Sequence, residues 1–195
     1  MKHDNLMKMI ITALMLGITV IMSWTPMGTI VLPIVSITIA FIPAIITTIM
    51  VGFWHGLAVA TFAGILSLVR AYFIFTWLAP FLQNPMVSVL PRMMIVVVVF
   101  IVYKALSKTK LPKFAAVAIT AAAGSITNTV GVLGMMWLLY AGPALEVAIN
   151  QGHASVWAMI LSIILSNALL EMVGNTILTT AVVMGLKRAN QAIKT

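Results

Sequence analysis

The sequence contains no cysteine and little charge. Of its 195 residues, 7% are charged and only three are acidic, whereas 63% are hydrophobic. The lack of cysteine excludes a disulfide framework and any chemistry that depends on a thiolate. A soluble domain of this length carries far more charge, and nearly all of this chain lies in apolar segments. The composition therefore predicts a multi-pass membrane protein in which residues 1–195 form a single domain.

Several catalytic motifs are also missing. The sequence has no GxxxxGK(S/T), so no P-loop binds ATP in this chain, and it has neither HExxH nor a pair of carboxylates spaced for a metal. His55 and His153 have no acid and nucleophile near them in the sequence. We therefore expect a protein that is not an enzyme and that carries no metal or cofactor of its own.

The net charge of +8 would also suit a protein that binds nucleic acid. However, the basic residues lie beside apolar runs rather than along the whole chain. They form three groups, which are Lys2 and Lys8, then Lys104, Lys108, Lys110 and Lys113, and finally Lys187, Arg188 and Lys194. Cytoplasmic loops of membrane proteins are enriched in lysine and arginine, so this placement predicts cytoplasmic termini, an even number of spans and no nucleic-acid partner.

Apolar runs of about 20 residues are long enough to cross a bilayer, and they divide the chain into six predicted transmembrane helices. Their predicted bounds are Leu6–Trp24, Ser36–Val51, Leu57–Phe75, Val87–Leu106, Lys113–Tyr140 and Ala154–Lys187. This all-α topology places three loops outside, namely Trp24–Pro33, Thr76–Pro85 and Ala141–Gly152. We expect Thr29–Val35 to be an extended or re-entrant loop and Gly52–Gly56 to be a tight turn.

Arg92 lies at the predicted outer start of the fourth helix, directly after Pro91. Proline suits the first turn of a helix, where its missing N–H is not needed. The arginine has two interpretations. It can extend to the outer headgroups, or it can face the helix bundle and bind an anion, because a guanidinium holds a carboxylate through two parallel hydrogen bonds. The positive-inside pattern gives no reason for an arginine on the outer side, which favours anion binding.

The predicted sixth helix carries Asn167, Glu171 and Asn175 at a spacing of four residues, which places them on one helix face. Glu171 is the only acidic residue within a predicted span, and an ionisable group at that depth needs a partner, water or a ligand. In the fifth helix, Ser125 and Asn128 lie near mid-membrane. These residues predict either a polar pocket that opens outward, together with Arg92, or a set of hydrogen bonds between helices.

The segment NPMVSVLPRMMIVVVVFIVYKAL, which begins at Asn84, resembles the start of the fourth helix in the substrate-binding (S) components of energy-coupling factor (ECF) vitamin transporters. The resemblance extends along nearly the whole chain. Ala13 and Gly17 are similar to the Ala-xxx-Ala docking motif of that family, with glycine at the second position. Small residues at this spacing permit close packing with another helix.

The resemblance implies that this chain binds a vitamin from outside and releases it inward in the bacterial cytoplasmic membrane. A separate transmembrane coupling (T) component and two ABC-type ATPases would supply the energy, and Ala13 and Gly17 would face the coupling protein. The sequence is most similar to the pantothenate-specific group, which implies pantothenate contacts for Arg92, Asn128 and their neighbours, with Asn84 at the start of the segment. Pyridoxine, folate and riboflavin stay open.

Two other interpretations of the residues remain. Glu171 would serve as the proton site of a solitary proton-coupled carrier of small solutes. Alternatively, the chain would be a structural membrane protein whose polar residues only join helices, and no small molecule would then co-purify with it.

Overall fold

The computed structural model describes residues 2–25, 29–31, 36–73, 79–150, 152, 154–164 and 168–192. In this part of the chain, two short strands accompany a set of helices. The helices are α1 (Lys2–Trp24), α2 (Ile42–Met50), α3 (Phe53–Phe73), α4 (Ala79–Leu82), α5 (Pro85–Ser88), α6 (Leu90–Leu106), α7 (Lys113–Asn150), α8 (Val156–Ile163) and α9 (Leu169–Ala192). The strands are β1 (Thr29–Val31) and β2 (Ser36–Thr38), which pair antiparallel with Ile30 opposite Ile37.

Five stretches of the described chain are long and apolar enough to cross a membrane. They are Asn5–Trp24, Phe53–Phe73, Pro85–Leu106, Lys113–Pro143 and Leu169–Arg188, with 20 to 31 residues each. A bilayer core of about 30 Å requires about 20 helical residues. The structure therefore confirms a helical membrane protein, whereas six full crossings and the side on which the termini lie stay predictions.

The second predicted helix, Ser36–Val51, is wrong in its bounds. Residues Ser36–Thr38 form β2, and the helix α2 has only nine residues, Ile42–Met50, nearly all of them buried. Pro43 explains the difference, because it lies in the first turn of α2 and its ring does not fit the interior of a longer helix. The extended structure predicted for Thr29–Val35 is present in the part that is described, Thr29–Val31.

The predicted tight turn Gly52–Gly56 is also wrong, since α3 already begins at Phe53. Gly52 has a positive φ of 129°, a conformation that glycine adopts without strain, and it reverses the chain between α2 and α3. The two helices then pack so closely that a Cβ atom on Gly56 would lie 2.9 Å from Thr48 Cβ. A single glycine therefore replaces the predicted five-residue turn.

The predicted outer loop Ala141–Gly152 is largely helical. Helix α7 continues to Asn150 beyond a kink at Tyr140, where φ is −135° and ψ is 35°. Pro143 follows the kink closely, so it occupies the first turn of the new segment, where proline is tolerated. The predicted helix Ala154–Lys187 is described as two helices, α8 and α9, and residues 165–167 between them lie outside the described chain.

Aromatic and polar contacts show which helix ends lie together. The rings of Trp24 and Phe73 are 5.8 Å apart, so α1 and α3 end on the same side. Phe53, at the start of α3, lies 5.4 Å from the ring of Phe100, near the end of α6. Lys187 Nζ of α9 donates a hydrogen bond of 2.7 Å to Tyr103 Oη of α6. We call this second side, where α6 and α9 end and α7 begins, the basic end.

The hydrophobic core surrounds α2. Ile45 of α2 is fully buried with Val59 of α3 and with Ile95 and Val99 of α6. Helix α7 approaches this core through Gly124, where a Cβ atom would lie 2.9 Å from both Ile45 Cδ1 and Val99 Cγ2. Because of this close approach, polar residues that follow Gly124 on α7 lie in the protein interior.

Candidate functional site

Arg92 lies in the first turn of α6, and the residues just before it favour the start of a helix. Asn84 caps α5 by accepting a hydrogen bond from Met86 N, and Pro91 occupies the first turn of α6. The Arg92 side chain is only 9% exposed, and it donates hydrogen bonds to the Val87 carbonyl (3.2 Å) and to Ser67 Oγ of α3 (3.3 Å). Arg92 therefore faces the bundle and does not extend to the headgroups.

Glu171 lies in the first turn of α9 and is 5% exposed. Its Oε1 atom is buried and has no hydrogen-bond partner among the described residues. The carboxylate is close enough to Arg92 for the two charges to attract each other, without a direct hydrogen bond or ion pair between them in the described chain. A buried guanidinium and a buried carboxyl group therefore lie within the range of each other's electrostatic influence.

Asn175 and Ser125 join α9 to α7. Asn175 is fully buried, and its Nδ2 donates a hydrogen bond of 3.4 Å to Ser125 Oγ. Asn128 lies one turn further along α7, is 7% exposed, and its Oδ1 atom has no hydrogen-bond partner among the described residues. Asn175 of the stripe predicted on the sixth helix therefore contacts Ser125 of the fifth.

The directions of the helices bring these residues to one level. Helix α7 begins at the basic end and α9 ends there, so the two helices are antiparallel. Asn128 on α7 and Glu171 on α9 each lie one helical turn from the Ser125–Asn175 contact, on the side that faces away from the basic end. Arg92 interacts with Glu171 at that same level. We call Arg92, Ser125, Asn128, Glu171 and Asn175 the polar cluster.

Threonines extend the polar cluster towards the basic end. Thr176, Thr179 and Thr180 of α9 have buried hydroxyl oxygens without a hydrogen-bond partner among the described residues. Other helical threonines differ, because their hydroxyls bond the carbonyl four residues earlier, as Thr120 does to Ala116 and Thr47 does to Pro43. The three hydroxyls of α9 were missed by sequence reasoning, although their spacing from Asn175 places them within one to two turns of it.

Asn84 and Asn167 are the two remaining predicted contacts. The amide of Asn84 is engaged twice, since its Oδ1 caps α5 and its Nδ2 donates a 2.9 Å hydrogen bond to Tyr140 Oη at the kink of α7. This arrangement favours a structural role, and a substrate contact for Asn84 stays a prediction. Asn167 lies outside the described residues.

Ser67 was not identified from the sequence, where it is one serine in an apolar helix. It becomes relevant only through its contact with Arg92. The predicted docking residues Ala13 and Gly17 lie on α1, where both are exposed. A Cβ atom on Gly17 would have no heavy atom within 4 Å, so this face of α1 is open to another protein or to lipid.

The chemistry of the polar cluster is that of recognition. Together with the three threonines of α9, it offers a guanidinium, a carboxyl group, two amides and several hydroxyls, which are groups that recognise polar solutes by hydrogen bonds and charge. The described residues include no group of three His, Cys, Asp or Glu side chains that would hold a metal ion. Fold and site together define a helical membrane protein with a buried cluster of polar and charged side chains among its helices.

A comparison with protein families identifies the particular group. Residues 7–183 match the family described as "ECF transporter, substrate-specific component", so the chain belongs to this family. No curated protein matches the chain closely enough to serve as a relative. Membership makes the chain a transport subunit and not an enzyme, with a vitamin-type substrate, a T component and ATPases as its partners.

Proposed function

We propose that this chain binds pantothenate from outside and delivers it inward, as the S component of an ECF transporter in the bacterial cytoplasmic membrane. A T component and two ABC-type ATPases would assemble with it. The observation that carries the proposal is the buried guanidinium of Arg92 within the polar cluster. A buried cation facing the bundle is well suited to a solute that carries a carboxylate.

The polar cluster matches the groups of pantothenate. The guanidinium has five N–H donors, and the two hydrogen bonds to Val87 and Ser67 leave donors for the carboxylate of the solute. A hydroxyl or the amide N–H of pantothenate is a donor for the acceptor atom Asn128 Oδ1, which has no partner among the described residues. Its dimethyl group suits the apolar side chains that dominate the helices.

We propose further that the basic end faces the cytoplasm. The exposed lysines 104, 108, 110 and 113 lie there, together with Lys187 and Arg188. The end of α3 contacts the end of α1, and the start of α3 contacts the end of α6. The chain between α1 and α3 must therefore return towards the basic end, and α2 lies on this return. In this arrangement α2 and the strands before it complete a sixth passage, and both termini are cytoplasmic.

Calorimetric titration of the purified protein with pantothenate tests the proposal. Arg92→Ala is expected to weaken binding by roughly a hundredfold or more, because it removes one partner of a buried charge pair. Arg188→Ala is the control, since Arg188 is an exposed cation at the basic end. Equal affinity of wild type and Arg92→Ala would remove Arg92 from the site, and preference for pyridoxine, folate or riboflavin would reassign the substrate.

The alternative of a solitary proton-coupled carrier is supported by Glu171, a buried carboxylate whose Oε1 has no partner among the described residues. The two functions differ in their need for partners. Liposomes that contain this chain alone would accumulate the solute under a pH gradient if it were a carrier. An S component is expected to bind the solute there without accumulating it.

A further inference from the structure

The polar cluster contains one basic and one acidic side chain, Arg92 and Glu171, so at alkaline pH, where the carboxyl is ionised, its net charge is zero before a solute binds. A bound carboxylate would add a negative charge to a site whose residues are at least nine-tenths buried. An uncompensated charge in such surroundings is strongly disfavoured, and a protein environment commonly responds by changing the protonation of a nearby group. The site therefore needs one more positive charge when it holds an anion.

Among the described residues of α9 and its neighbouring elements, no other ionisable group belongs to the polar cluster. The strand β2 and the helices α2 and α8 contain no ionisable residue. Within α7 the ionisable residues are Lys113 at the basic end, Tyr140 at the kink and the exposed Glu146 beyond it. Besides Arg92, the ionisable residues of α6 are Tyr103 and Lys104, and both lie near the basic end. Tyr103 accepts a hydrogen bond there from Lys187, which belongs to α9 itself.

Glu171 is placed to accept a proton. Its Oε1 atom has no hydrogen-bond partner among the described residues, and its carboxylate makes no direct ion pair with Arg92 there. Protonation of Oε1 therefore breaks no bond in the described structure. It also turns an acceptor into an O–H donor within the polar cluster, to which a carbonyl or hydroxyl oxygen of the solute can bind.

We propose that an anionic solute binds to the polar cluster together with one proton, which Glu171 takes up from the solvent while Arg92 holds the anion. This inference rests on the proposed function, because it concerns the same site. No covalent bond of the solute forms or breaks, and the net charge of the cluster returns to zero in the complex. The site thus recognises an anion and a proton as a pair.

The sign of the pH dependence follows from the proton count. The complex holds one proton more than the free protein and free anion, so raising the pH disfavours the complex. The affinity is expected to fall by up to about tenfold for each pH unit in the alkaline range, because one proton is linked to binding. A neutral solute of the same shape adds no charge, so its affinity is expected to change little over that range.

Calorimetry measures the linked proton directly. Titrations at pH 8 in two buffers with different protonation enthalpies give the number of protons taken up per solute bound. We expect about one proton for pantothenate. We expect none for its alcohol analogue, in which a CH₂OH group replaces the carboxylate.

Two glutamate variants locate the proton. Glu171→Gln keeps a neutral hydrogen-bonding group of similar size, and it is expected to bind pantothenate without proton uptake and with an affinity that is independent of pH. Glu146→Gln is the matched control, since Glu146 is exposed on α7 beyond the kink, and it is expected to retain the uptake. If Glu171→Gln does not fold, comparing the two solutes on the wild-type protein still decides whether binding of the anion takes up a proton.

The outcomes separate this inference from the proposed function. Tight binding of pantothenate with no net proton uptake would overturn the inference and leave the proposed function standing. Proton uptake that persists in Glu171→Gln would show that another group accepts the proton, which also overturns it. Absence of binding by either solute would contradict both proposals.

Discussion

Gly131 of α7 lies directly against Pro91 of α6, the residue before Arg92. A Cβ atom at position 131 would lie 2.9 Å from Pro91 Cβ and 3.4 Å from Pro91 Cα. The first distance is shorter than side chains tolerate, and a proline ring at a helix start has little freedom to move. The missing side chain of Gly131 therefore sets the separation of α6 and α7 at the level of Arg92.

Gly131→Ala is expected to destabilise the protein by about 1–3 kcal/mol, because it overpacks this contact. The substitution should also weaken vitamin binding, since it displaces the turn that carries Arg92. Gly134→Ala is the control, as a Cβ atom at position 134 has no heavy atom within 4 Å. Thermal unfolding in detergent and calorimetric titration measure both effects, and equal melting temperatures for the two variants would contradict the contact.

Ser67 of α3 orients Arg92, because its Oγ accepts a hydrogen bond of 3.3 Å from Arg92 Nη2. Ser67→Ala removes a hydrogen bond of about 1 kcal/mol, so the Kd for the vitamin should rise about fivefold while the melting temperature changes little. Ser67→Thr should restore the affinity, because it retains the hydroxyl. Thr61→Ala on the same helix is the control, since the Thr61 hydroxyl bonds only the Leu57 carbonyl in the described structure. Equal affinities for all of these variants would exclude a positioning role for Ser67.

Helical periodicity predicted much of the candidate site. The spacing of Glu171 and Asn175 put both on one face, and the structure places that face against Ser125 of α7. Asn128 follows from the same reasoning, because it lies one turn from Ser125. Ser67 could not be predicted in this way, because its relevance comes from a contact between α3 and α6, and the two residues in contact are far apart in the sequence. Contacts of this kind depend on the packing of helices, which a local pattern does not contain.

The membrane class also followed from hydrophobicity, whereas several helix ends did not. A long apolar run predicts a span, but it does not tell where proline or glycine ends the helix. At Pro43 the apolar run continues while the backbone changes from strand to a short helix. At Tyr140 the chain kinks and stays helical, although the residues that follow had suggested a loop. The errors therefore lie where backbone geometry and hydrophobicity disagree.

The orientation of the protein can be tested with single cysteines, because the natural sequence has none. Lys108→Cys lies in the exposed loop at the basic end, and Glu146→Cys lies on the exposed helical segment beyond the kink. We expect a membrane-impermeant maleimide to label Glu146→Cys on intact cells. It should label Lys108→Cys only after permeabilisation, because that loop is proposed to be cytoplasmic. The opposite pattern would reverse the orientation.

Gly17 provides a test of the proposed docking face on α1. It is exposed and open, so Gly17→Leu should leave the fold and vitamin affinity unchanged. The larger side chain should prevent the close helix approach that small residues permit, and the T component and ATPases should then fail to co-purify with the variant. Gly134→Leu, at a position on α7 that is also open to a Cβ atom, is the matched control and should retain the complex. Co-purification of an intact complex with Gly17→Leu would place the docking face elsewhere on the protein.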